Sequence, residues 1–356
     1  MKKEQIYPVS VNTPEEAPFF HNIDPVVFAS IFSKKQEQPA LYRYTLSNAY
    51  VSPYGAVFKN GRVIRESVYQ SSAKNIRSNF FSFWNKIVKN KVRKIDGHCV
   101  VISHSWFQNY YHWMTEIVPR LFLMKDELAD KTLVIHKNLS AFHRDVLRKF
   151  NFKEIVFIED HEIAKCKQVS FTSFPSYYTN QFFTLKTGPV KLIELNVNEQ
   201  LMREMKQWLV TTNPLQKNNS EIKNSKLFIS RKKAGYRKIL NEAELDQLLE
   251  KSGFVKIFLE DLTLDEQILA LNNASAVVAI HGAGLTNILF MQPHTHVINF
   301  ISEDHHEFCY LTMAHIAGSK YAHINCKGTK MENPAYNDIT IDLAMAQEVL
   351  NLIAER

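Results

Sequence analysis

Residues 276–300, AVVAIHGAGLTNILFMQPHTHVINF, constrain what this chain can fold into more than any other stretch. The run opens on five apolar residues, Ala276-Val277-Val278-Ala279-Ile280, and ends at a glycine turn. A short, branched, unbroken apolar run of this kind fits a strand buried on both faces, as in a parallel sheet. His281-Gly282-Ala283-Gly284 follows, and then Leu285-Thr286-Asn287-Ile288-Leu289-Phe290-Met291 has helical character. Pro293 stops that helix, and Val297-Ile298-Asn299-Phe300 reads as the next strand. Glycines let the backbone come close to a ligand with no Cβ in the way. The first N–H groups of the helix have no partner within it and carry the positive end of its dipole. Such a turn is a place for a phosphate or another anion; the same pattern also fits a tight turn that binds nothing.

The 356 residues suit two domains, and a 45% hydrophobic content can fill two cores. The net charge of +7 favours an anionic partner without choosing among nucleotide, phosphorylated substrate, nucleic acid and acidic lipid. Cys99, Cys166, Cys309 and Cys326 are scattered, with no CxxC pair, which argues against a zinc site or a disulfide framework and for a reducing compartment. The first twenty residues have no apolar core and do not read as a signal peptide, and no apolar run approaches a membrane span. The expected location is cytoplasmic, with room for peripheral contact at the inner face of a membrane.

Along the chain, residues 1–40 read as an irregular N-terminal arm. Short β-like runs with turns at Tyr54-Gly55 and Asn60-Gly61 fill 41–69. The basic segment 84–94, WNKIVKNKVRK, has no acid; it fits a solvated helix face or contact with an anionic membrane or acceptor. Strands are expected over 99–103, 132–136, 155–158 and 168–172, and helices over 109–125, 141–150 (capped by Ser140) and 197–210. The polar, Asn/Lys-rich stretch 214–225 reads as a linker. A second alternating series follows: strands over 226–230, 255–258, 276–280, 297–300, 321–324 and 339–342, with helices over 242–251, 264–272, 307–317 and 343–354. The partition is thus an N-terminal α/β domain over 41–213 and a C-terminal nucleotide-binding domain over 226–356, whose last helix can pack back toward the first. Alternating strands and helices mark parallel sheets, and ligands of open α/β sheets sit outside the carboxyl ends of the strands.

Three constellations bear on chemistry. The segment 227–238, LFISRKKAGYRK, leaves the first strand of the second series and falls on the same sheet edge as the glycine turn. Arg231 and Arg237 there are candidates for bidentate bonds to a diphosphate, with Lys232 beside them; a solvated basic loop is the alternative. Asn109-Tyr110-Tyr111-His112-Trp113-Met114-Thr115-Glu116 places His112 and Glu116 four apart, on one helix face. A histidine beside a carboxylate can act as general base, or the pair can simply close a helix end. His294, His296, His305 and His306 match no metal-ligand spacing, so no metal is expected.

With these residues together, the chain resembles glycosyltransferase family 61, in its bacterial capsular polysaccharide biosynthesis type. The resemblance rests on Ser230-Arg231-Lys232, Arg237, Asn241-Glu242, Gly253-Phe254, Leu264-Asp265-Glu266-Gln267, His281-Gly282-Ala283-Gly284-Leu285-Thr286-Asn287, and NYYHWMTEIVPRL upstream. It implies an α/β, GT-B-like fold of two Rossmann-like domains facing a cleft. It implies inverting transfer of a sugar from a nucleotide-diphosphate donor, UDP-linked in eukaryotic relatives, to a hydroxyl of a glycan or lipid-linked glycan. No obligatory metal or other cofactor is implied, and no nucleic-acid partner. The donor set carried over is Arg231, Lys232, Arg237, Asn241, Glu242, His281, Gly282, Ala283, Gly284, Leu285, Thr286 and Asn287; the catalytic set is Asn109, His112 and Glu116. Either His112 or Glu116 serves as base in this reading. A serine hydrolase with an HGGG-like oxyanion loop is the rival enzyme, but the sequence has no G-x-S-x-G elbow. A non-catalytic nucleotide-sugar or polysaccharide scaffold is the rival binding module.

Overall fold

The computed structural model describes residues 1–12, 17–25, 37–69, 73–89, 91–185, 188–215 and 225–354. Contacts divide the chain into two compact units, one formed by Met1–Val11 and Glu37–Tyr177, the other by Asn12–Gln36 and Tyr178–Arg356.

In the first unit the strands are β1 (Lys2–Tyr7), β2 (Leu41–Val51), β3 (Val57–Lys59), β4 (Arg62–Val63), β5 (Val92–Val100), β6 (Thr132–His136), β7 (Glu154–Ile158) and β8 (Ile163–Thr172). They form one sheet in the order β7-β6-β5-β8-β2-β3-β4, with β1 added on β2. Four strands, β7, β6, β5 and β8, run parallel; the rest pair antiparallel. The expectation of a Rossmann-like sheet is therefore met only in this parallel half. The hairpins of 41–63 build the other half, with Asn60 and Gly61 both at positive φ in the turn between β3 and β4. Helix α1 (Ala73–Val88) packs Phe83 against Phe58 and Tyr50.

The segment expected as one helix over 109–125 is interrupted. An α turn (Tyr110–His112) passes into a π-helical turn (Trp113–Ile117) and back to α (Val118–Phe122); together these are α2. Pro119 is the local cause that sequence offers: it has no N–H to give to the carbonyl four residues back. The backbone bond instead runs from Val118 N–H to Trp113 O. Helix α3 (Ala141–Leu147) begins at Ser140, as expected, in a capping box closed by His143.

The second unit, after the paired strands Ser176–Leu185 and Gly188–Val197, where the sequence suggested no element, has α4 (Glu199–Thr211), capped by Asn198. It continues with β9 (Ser225–Ile229), α5 (Glu242–Lys251), β10 (Phe254–Ile257), α6 (Leu264–Asn272), β11 (Ala274–Ile280), a 3₁₀ helix (Ala283–Phe290), β12 (His296–Ser302), α7 (Cys309–Ala317), β13 (Lys320–Gly328), β14 (Ile339–Thr340) and α8 (Leu343–Ala354). The strand order is β10-β9-β11-β12-β13-β14, parallel except for β14. Every residue of β11 from Ala276 to Ile280 is buried, and each such branched side chain contributes about 1.5–3 kcal/mol of transfer free energy. Helices α5 and α8 pack on the face made by Phe228, Val278, Ile280 and Phe300, so α8 lies in this unit's own core.

Two boundaries differ from expectation. The contact grouping places 178–215 with the second unit, because α4 bonds into it: Lys206 donates to Met291 O at 2.5 Å and Arg203 to Ile316 O. The segment read as an irregular arm gives a strand to each sheet, β1 to the first and Phe20–His21 to β13 in the second. Most of the expected linker, 216–224, lies outside the described residues.

Candidate active site

The five parallel strands β9 to β13 stand in the order 2-1-3-4-5, which has a switch point between the first and third of them, β9 and β11. Loops leaving two such neighbours on opposite sides open a crevice at their carboxyl ends. The residues at those two ends are Ser230-Arg231 and His281-Gly282. Ser230 Oγ donates to Glu242 at 2.7 Å and accepts the Lys232 N–H, which sets the turn after β9. Glu242 also holds Lys256 at 2.7 Å, and Asn241 grips Ile341 through both its N–H and its C=O. Asn241 and Glu242, expected in the donor set, thus spend these groups inside the fold.

Arg231 folds back over the glycine turn. A Cβ on Gly282 would stand 2.4 Å from Arg231 Nη1, so the space that glycine frees is filled by this guanidinium rather than left for a ligand. The φ of Gly282 is 169°, ordinary extended backbone, and close approach is what requires glycine there. Arg237 donates from Nη1 to His281 O at 3.2 Å. Tyr236 lies between, its ring 5.9 Å from Arg231 Cζ and 5.2 Å from Arg237 Cζ. The Nε of each arginine is buried without a hydrogen-bond partner. Among the described residues, no carboxylate lies within ion-pair distance of either. Burial, and then the charge of Arg237, push the Arg231 guanidinium toward its neutral form. An anion placed between the two would relieve both effects.

After the turn the helix is 3₁₀, not α. Leu285, Thr286 and Asn287 are buried; Thr286 Oγ1 donates to Ala283 O, and Asn287 to Gly284 O and Gln267 Oε1. They hold the turn in shape, while Ala283 and Gly284 keep partial exposure. Gln267 in turn donates to Leu259 O and Leu262 O. Lys232 is exposed. His281 is buried, with Asn299 at 3.3 Å and Glu307 at 3.4 Å, and burial depresses it to about 4. Among the described residues, His281, Glu307 and Cys309 form the one trio whose ligand atoms lie within 4.8 Å of one another, as a metal site would need. His305 reaches the same Glu307 oxygen at 3.2 Å. Of the four histidines weighed in sequence, His305 contacts this trio, whose members come from both sides of β12.

In the first unit the cluster centres on Glu116, which the π turn carries into the interior, fully buried. Its Oε1 accepts from Tyr69 Oη at 2.7 Å and contacts His112 Nδ1 at 3.0 Å. His104 Nε2 lies 2.9 Å from Oε2, close but off the line of a regular hydrogen bond. The Trp106 N–H points at His104 Nδ1, so the His104 proton sits on Nε2, facing the carboxylate. Burial alone would raise the Glu116 pKa; the nearby imidazoles of His104 and His112 outweigh it and hold the carboxyl at about 2. Burial keeps His104 itself below the usual histidine range. Arg120, also fully buried, donates to Thr172 Oγ1 at 3.2 Å, to Thr172 O at 3.1 Å and to Ile102 O. Burial works against its charge and the Glu116 carboxylate supports it.

His112 Nδ1–H, held by Glu116, places the imidazole lone pair on Nε2, the form a general base needs. His112 keeps 17% of its side chain exposed and is stacked under Trp106, ring centres 5.8 Å apart. Asn109 Oδ1 accepts the Tyr111 N–H and caps α2, a structural use of a residue expected in the catalytic set. His104, Tyr69 and Arg120 escaped the sequence reading. Only Arg120, a charged residue in an apolar helical pattern four after Glu116, left a signal. Gly55 explains how His104 arrives: at φ 77° it packs so tightly under Ser103 that a Cβ would stand 1.9 Å from Ser103 O.

The family model for Glycosyltransferase 61 matches residues 110–298, more than half of the chain and a span that contains both clusters' motifs. An EGF domain-specific O-linked N-acetylglucosamine transferase from Gallus gallus is 34% identical over 91 residues, 24% of this chain and 17% of that protein. The Canis lupus familiaris protein of the same name is 34% identical over 92 residues, 24% of this chain and 17% of its own length. A beta-1,2-xylosyltransferase, XAX1, from Oryza sativa subsp. japonica is 22% identical over 206 residues, 54% of this chain and 35% of that protein. The matched segments therefore span about a third or less of these relatives. By the extent of the family match, with the glycine turn, the arginines and the His112–Glu116 pair inside or beside it, this chain belongs to the glycosyltransferase 61 family.

Proposed function

We propose that the protein is an inverting glycosyltransferase that moves a sugar from a nucleotide-diphosphate donor to a glycan or lipid-linked glycan hydroxyl. The single observation that carries the reading is the pair Arg231 and Arg237, buried at Nε without partners, at the switch point of a parallel sheet. Two cations that repel each other and lack a carboxylate fit a diphosphate. They would stabilise the departing nucleoside diphosphate without a metal, which is the electrostatic task such a reaction sets. The second task, taking the acceptor's proton, falls to His112 oriented by Glu116. The GT-B-like reading assigns one task to each unit. Family relatives named for N-acetylglucosamine and xylose transfer favour a UDP-linked donor, and a role in capsule or other surface polysaccharide synthesis is the setting we assign.

A thermal-shift screen of nucleoside diphosphates tests this, because a ligand of the native state raises the melting temperature with its concentration. UDP should stabilise the protein and transfer should persist in EDTA. No shift with any nucleoside diphosphate would end the donor assignment. Transfer abolished by EDTA and restored by manganese or magnesium would overturn the metal-free step and turn attention to His281, Glu307 and Cys309.

A further inference from the structure

The charge of this chain is not spread over it. Between Glu66 and Asp96 there are seven Lys and Arg and no acid; elsewhere 36 Lys and Arg meet 36 Asp and Glu. The whole net charge of +7 therefore resides in one segment, α1 and the strand entry that follows it. Neither cluster described above uses it.

Helix α1 has two apolar faces. Phe83, 4% exposed, packs inward. On the outer side Phe81 is 58% exposed, Trp84 43%, Val88 81% and Phe80 38%. Arg77, Phe81, Trp84 and Val88 follow one another at helical spacing along a single stripe, and the Arg77 guanidinium lies 5.5 Å over the Phe81 ring. Past the end of the helix Lys89, Lys91, Arg93 and Lys94 are all exposed. Soluble proteins seldom present a contiguous aromatic and aliphatic stripe to water unless something covers it. A stripe of Phe, Trp and Val flanked by cations, with the acids removed, is the composition of a helix that lies in a lipid interface. Among the described residues no helix is long and apolar enough to cross a membrane, so this would be contact from one side.

We propose that the outer face of α1, with the lysines and arginines after it, docks the protein on an anionic lipid bilayer surface. The charge complementarity selects the occupant's sign, and the exposed aromatics select a surface with an apolar interior over a soluble polyanion. The rings enter the acyl boundary while the cations stay at the headgroups.

The test is sedimentation of the full chain with vesicles of phosphatidylcholine alone or with about 30 mol % phosphatidylglycerol, in about 0.1 M salt. Binding is expected to the anionic vesicles only. Phe81→Ser with Trp84→Ser, and separately Lys89→Glu with Lys91→Glu, should each lower the bound fraction about tenfold or more while leaving the melting temperature nearly unchanged. If the aromatic variant fails to fold, quenching of Trp84 fluorescence by brominated lipid, absent in Trp84→Phe, gives the same answer. Absence of binding to anionic vesicles overturns the proposal, as does binding that ignores the aromatic substitutions. Dextran sulfate holding the protein as tightly, with or without Phe81 and Trp84, reassigns the segment to soluble polyanions and overturns it too.

Discussion

Glu116 in the first unit is a buried anion ringed by Tyr69, His104 and His112, whereas Arg231 and Arg237 in the second are cations with no carboxylate at ion-pair distance among the described residues. Both clusters place charge where water is scarce, and both would be costly if left alone. They differ in who meets the cost. The carboxylate is answered by the protein's own donors, so its geometry is set before any substrate arrives. The guanidinium pair has backbone acceptors, His281 O for Arg237 and Tyr236 O for Arg231, but no counter-charge among the described residues, so a bound anion would stabilise it. A satisfied cluster is a tool held ready; an unsatisfied one is the place to look for a ligand.

That contrast can be broken most sharply at His112. His112→Ala should lower kcat by at least about a hundredfold with nucleotide affinity nearly unchanged, since general base catalysis contributes about 10²- to 10⁴-fold. Glu116→Gln should lower kcat less if it only orients the imidazole. If it proves the more damaging change, the carboxylate is the base. If both variants fold and turn over normally, the cluster is structural, and Glu303 and Asp304 are next in line, although Asp304 is already paired with Lys330 at 2.7 Å.

The second cluster should respond in the opposite parameter. Arg231→Ala should weaken nucleoside diphosphate binding by about 1.5–3 kcal/mol, roughly ten- to 150-fold, the range for a hydrogen bond to a charged group. Gly282→Ala should weaken it in the same direction by less, because the added Cβ displaces Arg231 without deleting it. Calorimetry on the folded variants measures both. Unchanged affinity in Arg231→Ala would show that the cations wait for nothing.

The smallest effect is one the two units share. His143 and His281 are held at about 4 and His323 at about 3, mainly by burial, against 6.5 in the unfolded chain. A group whose folded pKa is depressed stabilises the protein above its unfolded pKa and loses that contribution as pH falls. The melting temperature should therefore decline from about pH 6.5 down through about 4, where the unfolded state takes up protons and the folded state does not. A melting temperature flat over that window would show that these imidazoles are hydrated in solution.

Sequence legibility followed the same divide. From Ser225 on, the second unit was legible nearly strand by strand, because its elements are local: the Thr263–Glu266 capping box and the apolar runs of β9, β11 and β12 announce themselves within a few residues; the paired strands Ser176–Leu185 and Gly188–Val197 before it were missed. Arg231, Arg237 and the glycine turn could be brought together because parallel strands deliver their carboxyl ends to one edge. The first unit resisted. Its carboxylate has donors at 69, 104 and 112, and nothing in a single sequence says that a tyrosine before α1 will meet a glutamate in α2. The helix over 109–125 was read through Pro119, although a proline there is a local signal of interruption. Roles inside the fold were also invisible in the sequence. Asn109, Asn241 and Glu242 have the chemistry of site residues, and the structure also gives them the bonds of caps and braces, to Tyr111, Ile341, Ser230 and Lys256.

The π turn at Trp113–Ile117 makes chain length, rather than residue identity, the guarded property of this segment. It houses one residue more than an α turn of the same rise. Deleting any single residue within it would let the backbone close to ordinary α spacing with the helix beyond still in phase. Arg120 would then keep its reach to Ile102 and Thr172, whereas the local bulge that carries Glu116 into the interior among its donors would be lost. Substitutions along α2 are graded in their effect; a one-residue indel there is a change of gear.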